Sequence, residues 1–192
     1  MLQFKPVARM FIELKNGVEA WKFLREKYFV AKVWEELRLK QDKVTWHRFL
    51  WSFMTIPKHV FISWIAILNR LPTMDRLVSW GLIERGECCF YQNVLETQDH
   101  LFFECNYSKN LWKSILQLCD LNREVGNWDS ELEWALRRIK GKALISLILR
   151  IAWKTYIYHV WRERNRRIHG HSSTPELQIL EEIKKRGKDR TS

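Results

Sequence analysis

One short stretch of the chain concentrates side chains that can bind a metal ion. Residues 86–105, GECCFYQNVLETQDHLFFEC, contain three of the four cysteines and one of the six histidines. Zinc takes four ligands from thiolate, imidazole and carboxylate groups, usually as two close pairs separated by a gap. His100 and Cys105 form the second pair, and Cys88 supplies one member of the first. This spacing predicts a zinc site built on Cys88, His100 and Cys105.

The fourth ligand is the open question in this pattern. Cys89 directly follows Cys88, and adjacent side chains diverge too far to chelate one tetrahedral ion in a relaxed turn. A Cys-x-x-Cys turn would need a thiol at position 91, where the chain has Tyr91. The candidates to complete the shell are Cys89 after a local backbone shift, Asp99, Glu104, a water molecule, and the Tyr91 phenol, which is disfavoured because its pKa of about 10 makes it costly to ionise. The alternative to a metal site is that the thiols are small buried hydrophobic groups beside a hydrogen-bonded histidine.

The elements that must position these residues are predicted to be helices. Pro57 suits the first turn of a helix that is apolar on nearly all sides, and Thr73 is a candidate N-cap for the next. Amphipathic spacing predicts further helices over 107–119 and from 142 to about 167, and a last short helix starts near Thr174. The predicted fold is therefore mainly α, with one small zinc-knuckle-like hairpin near 88–96.

Charge is the second signal in the composition. Thirty-three Lys and Arg against 22 Asp and Glu give a net charge of +11 and a pI near 9.7. This excess favours a polyanionic partner, most simply RNA or DNA, because each cation near a phosphate releases a condensed counterion. A zinc-knuckle-like domain narrows the expected partner to RNA or single-stranded nucleic acid. The predicted contact residues are Arg162, Arg164, Arg166, Arg167, Lys184, Lys185 and Arg186. The alternative is a solvated helix end, where cations suit the helix dipole.

The chain gives no sign of a membrane or secretory destination. Lys5, Arg9 and Glu13 interrupt any apolar run at the start, so we expect no signal peptide. The most apolar segment, 143–161, contains Arg150 and Lys154, which predicts a buried helix rather than a membrane span. We expect an intracellular protein, nuclear or cytoplasmic, in which metal binding or free thiols are favoured over disulfides.

The sequence also resembles a known family, the reverse transcriptase zinc-binding domain of plant non-LTR, LINE-type retrotransposons and of host proteins derived from them. The resemblance covers about 33–116 and depends on many small matches together: Trp46, Trp51, Ile56-Pro57-Lys58, the run 68–73, Asp75-Arg76-Leu77, Glu96-Thr97, the run 100–103, Cys105 and Leu111-Trp112. The tail WRERNRRIHG is also similar to the segment on the C-terminal side of this domain in such elements. The resemblance implies four ligand positions, at Cys88, Tyr91, His100 and Cys105, of which Tyr91 departs from the family pattern.

No enzymatic motif is present in the chain. It lacks Tyr-x-Asp-Asp, an adjacent pair of aspartates, His-Glu-x-x-His, a phosphate-binding loop and a dinucleotide fingerprint. We therefore expect a non-catalytic, retrotransposon-derived domain that binds zinc and nucleic acid. The alternative is a degenerate retroelement fragment without metal that acts at most in protein–protein interaction. The predicted organisation is an N-terminal helical extension (1–32), the zinc-binding-like domain (33–116), C-terminal helices (117–170) and a basic tail helix (171–192).

Overall fold

The computed structural model describes residues 44–51, 56–91, 93–138 and 143–188, without the side chains of 186–188. Within these residues a π-helical turn, His100–Glu104, lies between the third and fourth of seven α-helices. The helices are α1 (His47–Leu50), α2 (Pro57–Ile67), α3 (Met74–Ser79), α4 (Asn106–Leu118), α5 (Trp128–Arg138), α6 (Leu144–Ile168) and α7 (Glu176–Lys188). The predicted mainly α fold is confirmed.

The helix ends follow local rules that the sequence made visible. Pro57 occupies the first turn of α2, where its missing N–H costs nothing, and Thr73 is the N-cap residue of α3. Four helices, α2, α3, α4 and α6, end in a Schellman motif centred on Asn69, Gly81, Asp120 and Gly170, which have positive φ. At the end of α6, for example, Gly170 N–H bonds to the Arg167 carbonyl and His171 N–H to that of Arg166, both at 3.0 Å.

Aromatic side chains fill the core around α6. Trp153 and Tyr156 on α6 and Trp112 on α4 are fully buried, as are Phe102 and Phe103 of the π-helical turn. The rings meet at tilted or edge-on angles with centroids 4.9–6.2 Å apart, and such pairs add about 0.5–1.5 kcal/mol each beyond area burial. The hydroxyl of Tyr156 donates to the backbone oxygens of Phe102 and Ser108. This anchors the π-helical turn to the longest helix.

Residues 86–96, which we call the cysteine loop, connect the region of α3 to the π-helical turn. One isolated antiparallel bridge pairs Glu87 with Leu95. Cys88 N–H donates to the Val94 carbonyl at 2.8 Å, and Glu96 N–H to that of Gly86 at 2.7 Å. The zinc-knuckle-like character of this hairpin stays a prediction.

All described residues belong to one unit, Val44–Ser192. The predicted boundaries at 116 and 170 stay predictions, and the predicted N-terminal extension, 1–32, lies outside the described residues. Among the helices of the described part, none is long and apolar enough to cross a membrane.

Candidate metal centre

Three of the predicted ligands converge in the structure. The ligand atoms of Cys88, His100 and Cys105 all lie within 4.8 Å of one another. Two donors about 2.0–2.3 Å from one tetrahedral zinc ion lie about 3.3–3.8 Å apart, so these atoms need to close by at most about 1.5 Å to share an ion. All three residues are buried. The described residues contain no other such group of three.

The π-helical turn explains how His100 and Cys105 come to face the same ion. In an α-helix, residues five apart point about 140° away from each other. Here Cys105 N–H bonds to the His100 carbonyl at 2.8 Å, five residues back, so the turn is wider than that of an α-helix and brings the two residues closer to one face. The start of the turn is held by Thr97, whose hydroxyl accepts the His100 N–H at 3.1 Å. A single wider turn therefore aligns the imidazole with the thiol.

His100 also has a nitrogen that the described residues leave unsatisfied. Its Nε2 is buried and has no hydrogen-bond partner. A buried polar atom without a partner costs about 1–3 kcal/mol, so such atoms are rare unless a ligand or ion completes them. A metal ion bound between the two cysteines would satisfy this nitrogen.

The two buried thiols differ in their pKa values. The hydrogen bond with Cys105, together with burial, holds the pKa of Cys88 well above its ordinary value. The same bond lowers the pKa of Cys105 to about 7, and the N–H groups of Tyr107 and Ser108 at the start of α4 act in the same direction. Cys105 is the N-cap residue of α4, a position that favours negative charge. Cys105 is therefore the more acidic of the two thiols, and a metal ion that binds both sulfurs would have to displace the proton of Cys88.

Two further predicted candidates lie near the site without joining it. Cys89 faces α6, where its Sγ lies 3.8 Å from the Arg164 carbonyl oxygen, and burial raises its pKa to about 12. Tyr91 has a mostly exposed side chain, 55% accessible, while its backbone N–H interacts with the Cys88 sulfur. The residues present therefore fit a metal ion with three donors, Cys88, His100 and Cys105. Neither Cys89 nor Tyr91 lies where it could act as the fourth donor.

The cysteine loop is attached to the rest of the protein through Glu96. The Glu96 carboxylate is fully buried and accepts the N–H of Met74 at 3.0 Å. It also accepts hydrogen bonds from Arg164 on α6, which in turn donates to the Pro72 carbonyl at 3.1 Å. One ion pair thus fixes the end of the cysteine loop, the start of α3 and the end of α6.

A second attachment involves the residue after Cys89. Phe90 stacks on Tyr107 with ring centroids 4.5 Å apart, and the Arg167 guanidinium lies 4.7 Å from both rings. The hydroxyl of Tyr107 donates to the Thr174 carbonyl at 2.9 Å. Phe90 and Tyr107, each two residues after a cysteine donor, are therefore packed together against the segment between α6 and α7.

The predicted cationic residues are mostly engaged within the protein. Arg164 is buried against Glu96, and Arg167 pairs with Glu163 at 2.9 Å. Arg162 pairs with Glu182, Arg166 with Glu163 and Thr174, and Lys184 with Glu181. Lys185 is exposed, and the side chain of Arg186 lies outside the described residues.

Sequence reasoning missed the internal role of these arginines. Their partners Glu96 and Glu163 lie in the sequence motifs Glu96-Thr97 and WRERNRR, close to large apolar residues. A carboxylate in such a setting is the signal that could have pointed to buried ion pairs.

Comparison with known proteins bears on the same region. Residues 28–112 match the family described as zinc-binding in reverse transcriptase. This confirms the resemblance drawn from the sequence, and the matched segment contains all three converging donors. No curated protein and no solved structure matches the chain.

Proposed function

We propose that this chain is a non-catalytic, retrotransposon-derived binding module in which zinc joins the cysteine loop to the π-helical turn. The observation that carries the proposal is the convergence of two thiols and an unsatisfied imidazole nitrogen in a buried site. A metal bound there would cross-link Cys88 to His100 and Cys105, and its binding free energy would add to the stability of the fold. Zinc in this role would stabilise the fold.

The experiment that tests metal binding is zinc stoichiometry by elemental analysis. The protein is purified without chelator or affinity tag and compared with His100→Ala and Cys105→Ser. We expect about one zinc per chain for the parent and a marked loss in both variants. Cys119→Ser is the matched control, since Cys119 lies at the end of α4 outside the group of donors and should leave zinc content unchanged. A metal-free parent protein would favour the alternative, a degenerate fragment.

We further propose that the module contacts RNA through the cations at the end of α6 and on α7. The net charge of +11 supports this, as does the partial exposure of Arg162 and Arg166, whose side chains are 29% and 39% accessible. Arg162 pairs with Glu182 of α7, so the cations of the two helices are neighbours, and Lys185 on α7 is exposed. Arg164 and Arg167 hold the protein together and are not part of this surface.

RNA affinity measured against salt concentration tests this second proposal. Each phosphate contact lowers the affinity for single strands as salt rises, with a slope of about −0.7 per contact. Lys185→Glu should weaken binding and flatten the slope, whereas Lys113→Glu, a change on α4, should not. An affinity that is weak even at about 50 mM salt, or that is insensitive to salt, would rule out the RNA contact.

A further inference from the structure

We infer that the metal centre takes three donors from the chain and its fourth ligand from solution, as a small exchangeable donor such as water or a thiolate. This inference rests on the proposed zinc-binding function and specifies a property of the same site, namely whether its coordination shell is closed. Three protein ligands plus one from solution describe an open zinc site, whereas structural sites normally supply all four from the chain.

Cys89 is the donor nearest in sequence, but its surroundings oppose a turn toward the site. Its Sγ faces the Arg164 carbonyl oxygen, and Arg164 is held by the buried Glu96. Bringing this sulfur to Cys88 would require the backbone shift that adjacent cysteines need. The next residue, Phe90, resists such a shift because its ring is stacked on Tyr107 and its N–H donates to the Cys88 sulfur at 3.4 Å.

The two nearby carboxylates, Asp99 and Glu104, do not supply the fourth donor. Asp99 precedes His100, but its Oδ1 accepts the N–H of Trp128 at 2.8 Å and so caps the start of α5. Trp128 is buried against Phe102 and Phe103, so releasing its N–H would leave a buried donor without a partner, at a cost of about 1–3 kcal/mol. Glu104 is exposed and falls outside the group of converging donors.

Position 91 is the position at which the fourth ligand of the coordination shell is expected. The backbone N–H of Tyr91 interacts with the Cys88 sulfur, so this residue borders the site, while its side chain is 55% accessible to solvent. The resemblance places a fourth thiol at this position, and in this chain the position holds an exposed phenol instead. The position at which the resemblance places the fourth donor therefore borders the site but carries a side chain that lies in solvent.

The charge of the three donors allows the fourth ligand to be either neutral or anionic. Two thiolates balance a divalent ion, and the imidazole of His100 adds no charge. A neutral water molecule leaves the centre uncharged, and a soft anion such as a thiolate suits an ion already bound by sulfur. Separate additions of azide and of a small thiol distinguish a site open to any anion from one that prefers sulfur.

The test uses the d–d absorption spectrum of the cobalt(II)-loaded chain in thiol-free buffer. We expect the parent spectrum to shift saturably with a small thiol, azide or both, and the Tyr91→Cys variant to be insensitive to either. Tyr91→Cys should also bind zinc on the order of 100-fold more tightly, because the chain then supplies all four ligands. Cys89→Ser should leave the parent spectrum and its response unchanged.

The results that would overturn the inference differ from those that would remove the zinc site altogether. A parent spectrum insensitive to both additions, and altered by Cys89→Ser, would show that Cys89 closes the shell while the metal centre itself stands. Cobalt uptake by Tyr91→Cys but not by the parent would show that three donors and a solution ligand are too few. Failure of both proteins to take up metal would refute the proposed metal function itself.

Discussion

Glu96 and Arg164 form a buried, multiply hydrogen-bonded ion pair that joins the cysteine loop to the longest helix. Glu96 is 0% exposed and Arg164 is 5% exposed. Their shortest contact, Nη2 to Oε1, is 2.7 Å, and Nε lies 3.0 and 3.2 Å from the two carboxylate oxygens. The Arg164 guanidinium also lies 4.7 Å from the ring of Trp161. A change to this pair should therefore disturb the segment that carries Cys88.

Replacing the arginine alone should strongly destabilise the protein. Arg164→Met leaves the Glu96 carboxylate buried without a counter-charge, which costs about 3–5 kcal/mol in comparable pairs. Urea unfolding of the variant should show this loss. The control Arg137→Met removes an exposed ion pair with Glu133 and should cost about 1 kcal/mol or less.

The double replacement Glu96→Leu with Arg164→Met gives an independent check. It removes both charges, so it should be less destabilised than Arg164→Met alone. A double variant no more stable than the single one would mean that the side chains act separately.

Glu131 is the centre of a second buried network, and its charge should matter. The carboxylate is fully buried and accepts bonds from Arg123, Trp112 Nε1 and the N–H of Gly126. Glu131→Gln keeps the shape but weakens the charge-assisted bonds, so unfolding free energy should fall by about 2 kcal/mol in thermal or urea denaturation. Glu133→Gln, which affects only an exposed pair with Arg137, should change it by about 0.5 kcal/mol at most. Equal effects at the two positions would show that the charge of Glu131 does not matter.

Glu163 should make stability depend on pH in the acid range. Burial alone would raise its pKa, but the N–H of Thr174 and the Arg167 guanidinium outweigh burial, so the pKa of Glu163 lies below its ordinary value. The ionised carboxylate therefore stabilises the folded state above the unfolded pKa of about 4.3, and this contribution is lost as pH falls through the lower folded pKa.

Glu163→Gln should thus destabilise the protein at pH 7 by about 2 kcal/mol, and the difference from the parent should shrink below about pH 4. Unfolding temperatures recorded from pH 7 to pH 3 measure this. Glu181→Gln on the exposed face of α7 is the matched control. A gap that stays constant over this range would show that Glu163 acts by packing alone.

Gly86 lies where a side chain would meet the end of Leu95. A Cβ at this position would be 2.8 Å from Leu95 Cδ1 and 3.2 Å from Val78 Cγ2. Leu95 is half exposed, so its tip can move, and we expect Gly86→Ala to cost only about 1 kcal/mol. In a Leu95→Ala background the cost should drop. A cost unchanged by Leu95→Ala would place the conflict at Val78.

The helices could be predicted because their signals are local. Pro57 and Thr73 mark helix starts, and the apolar spacing of the long helix predicted 142 to about 167 where the structure has Leu144–Ile168. The grouping of Cys88, His100 and Cys105 was predicted by spacing, since residues that could share a metal ion follow characteristic sequence intervals.

The rest depends on contacts between distant residues. Nothing near Arg164 in the sequence indicates that Glu96, 68 positions away, lies against it, so a run of arginines at a helix end was interpreted as a surface for RNA. The π-helical turn could not be predicted from the sequence either, because the composition of HLFFEC fits an ordinary α-helix. Only the tertiary packing of Phe102 and Phe103 against Tyr156 makes the wider turn evident.

The separation of Glu96 from Arg164 also sets an order of events during synthesis. A ribosome that has released the cysteine loop and α4 has not yet made the guanidinium that neutralises the buried carboxylate. The nascent chain must therefore keep Glu96 hydrated until the end of α6 emerges, and long-range pairings of this kind are slow to form. The segment around Glu96 should remain open to chaperones and proteases until then.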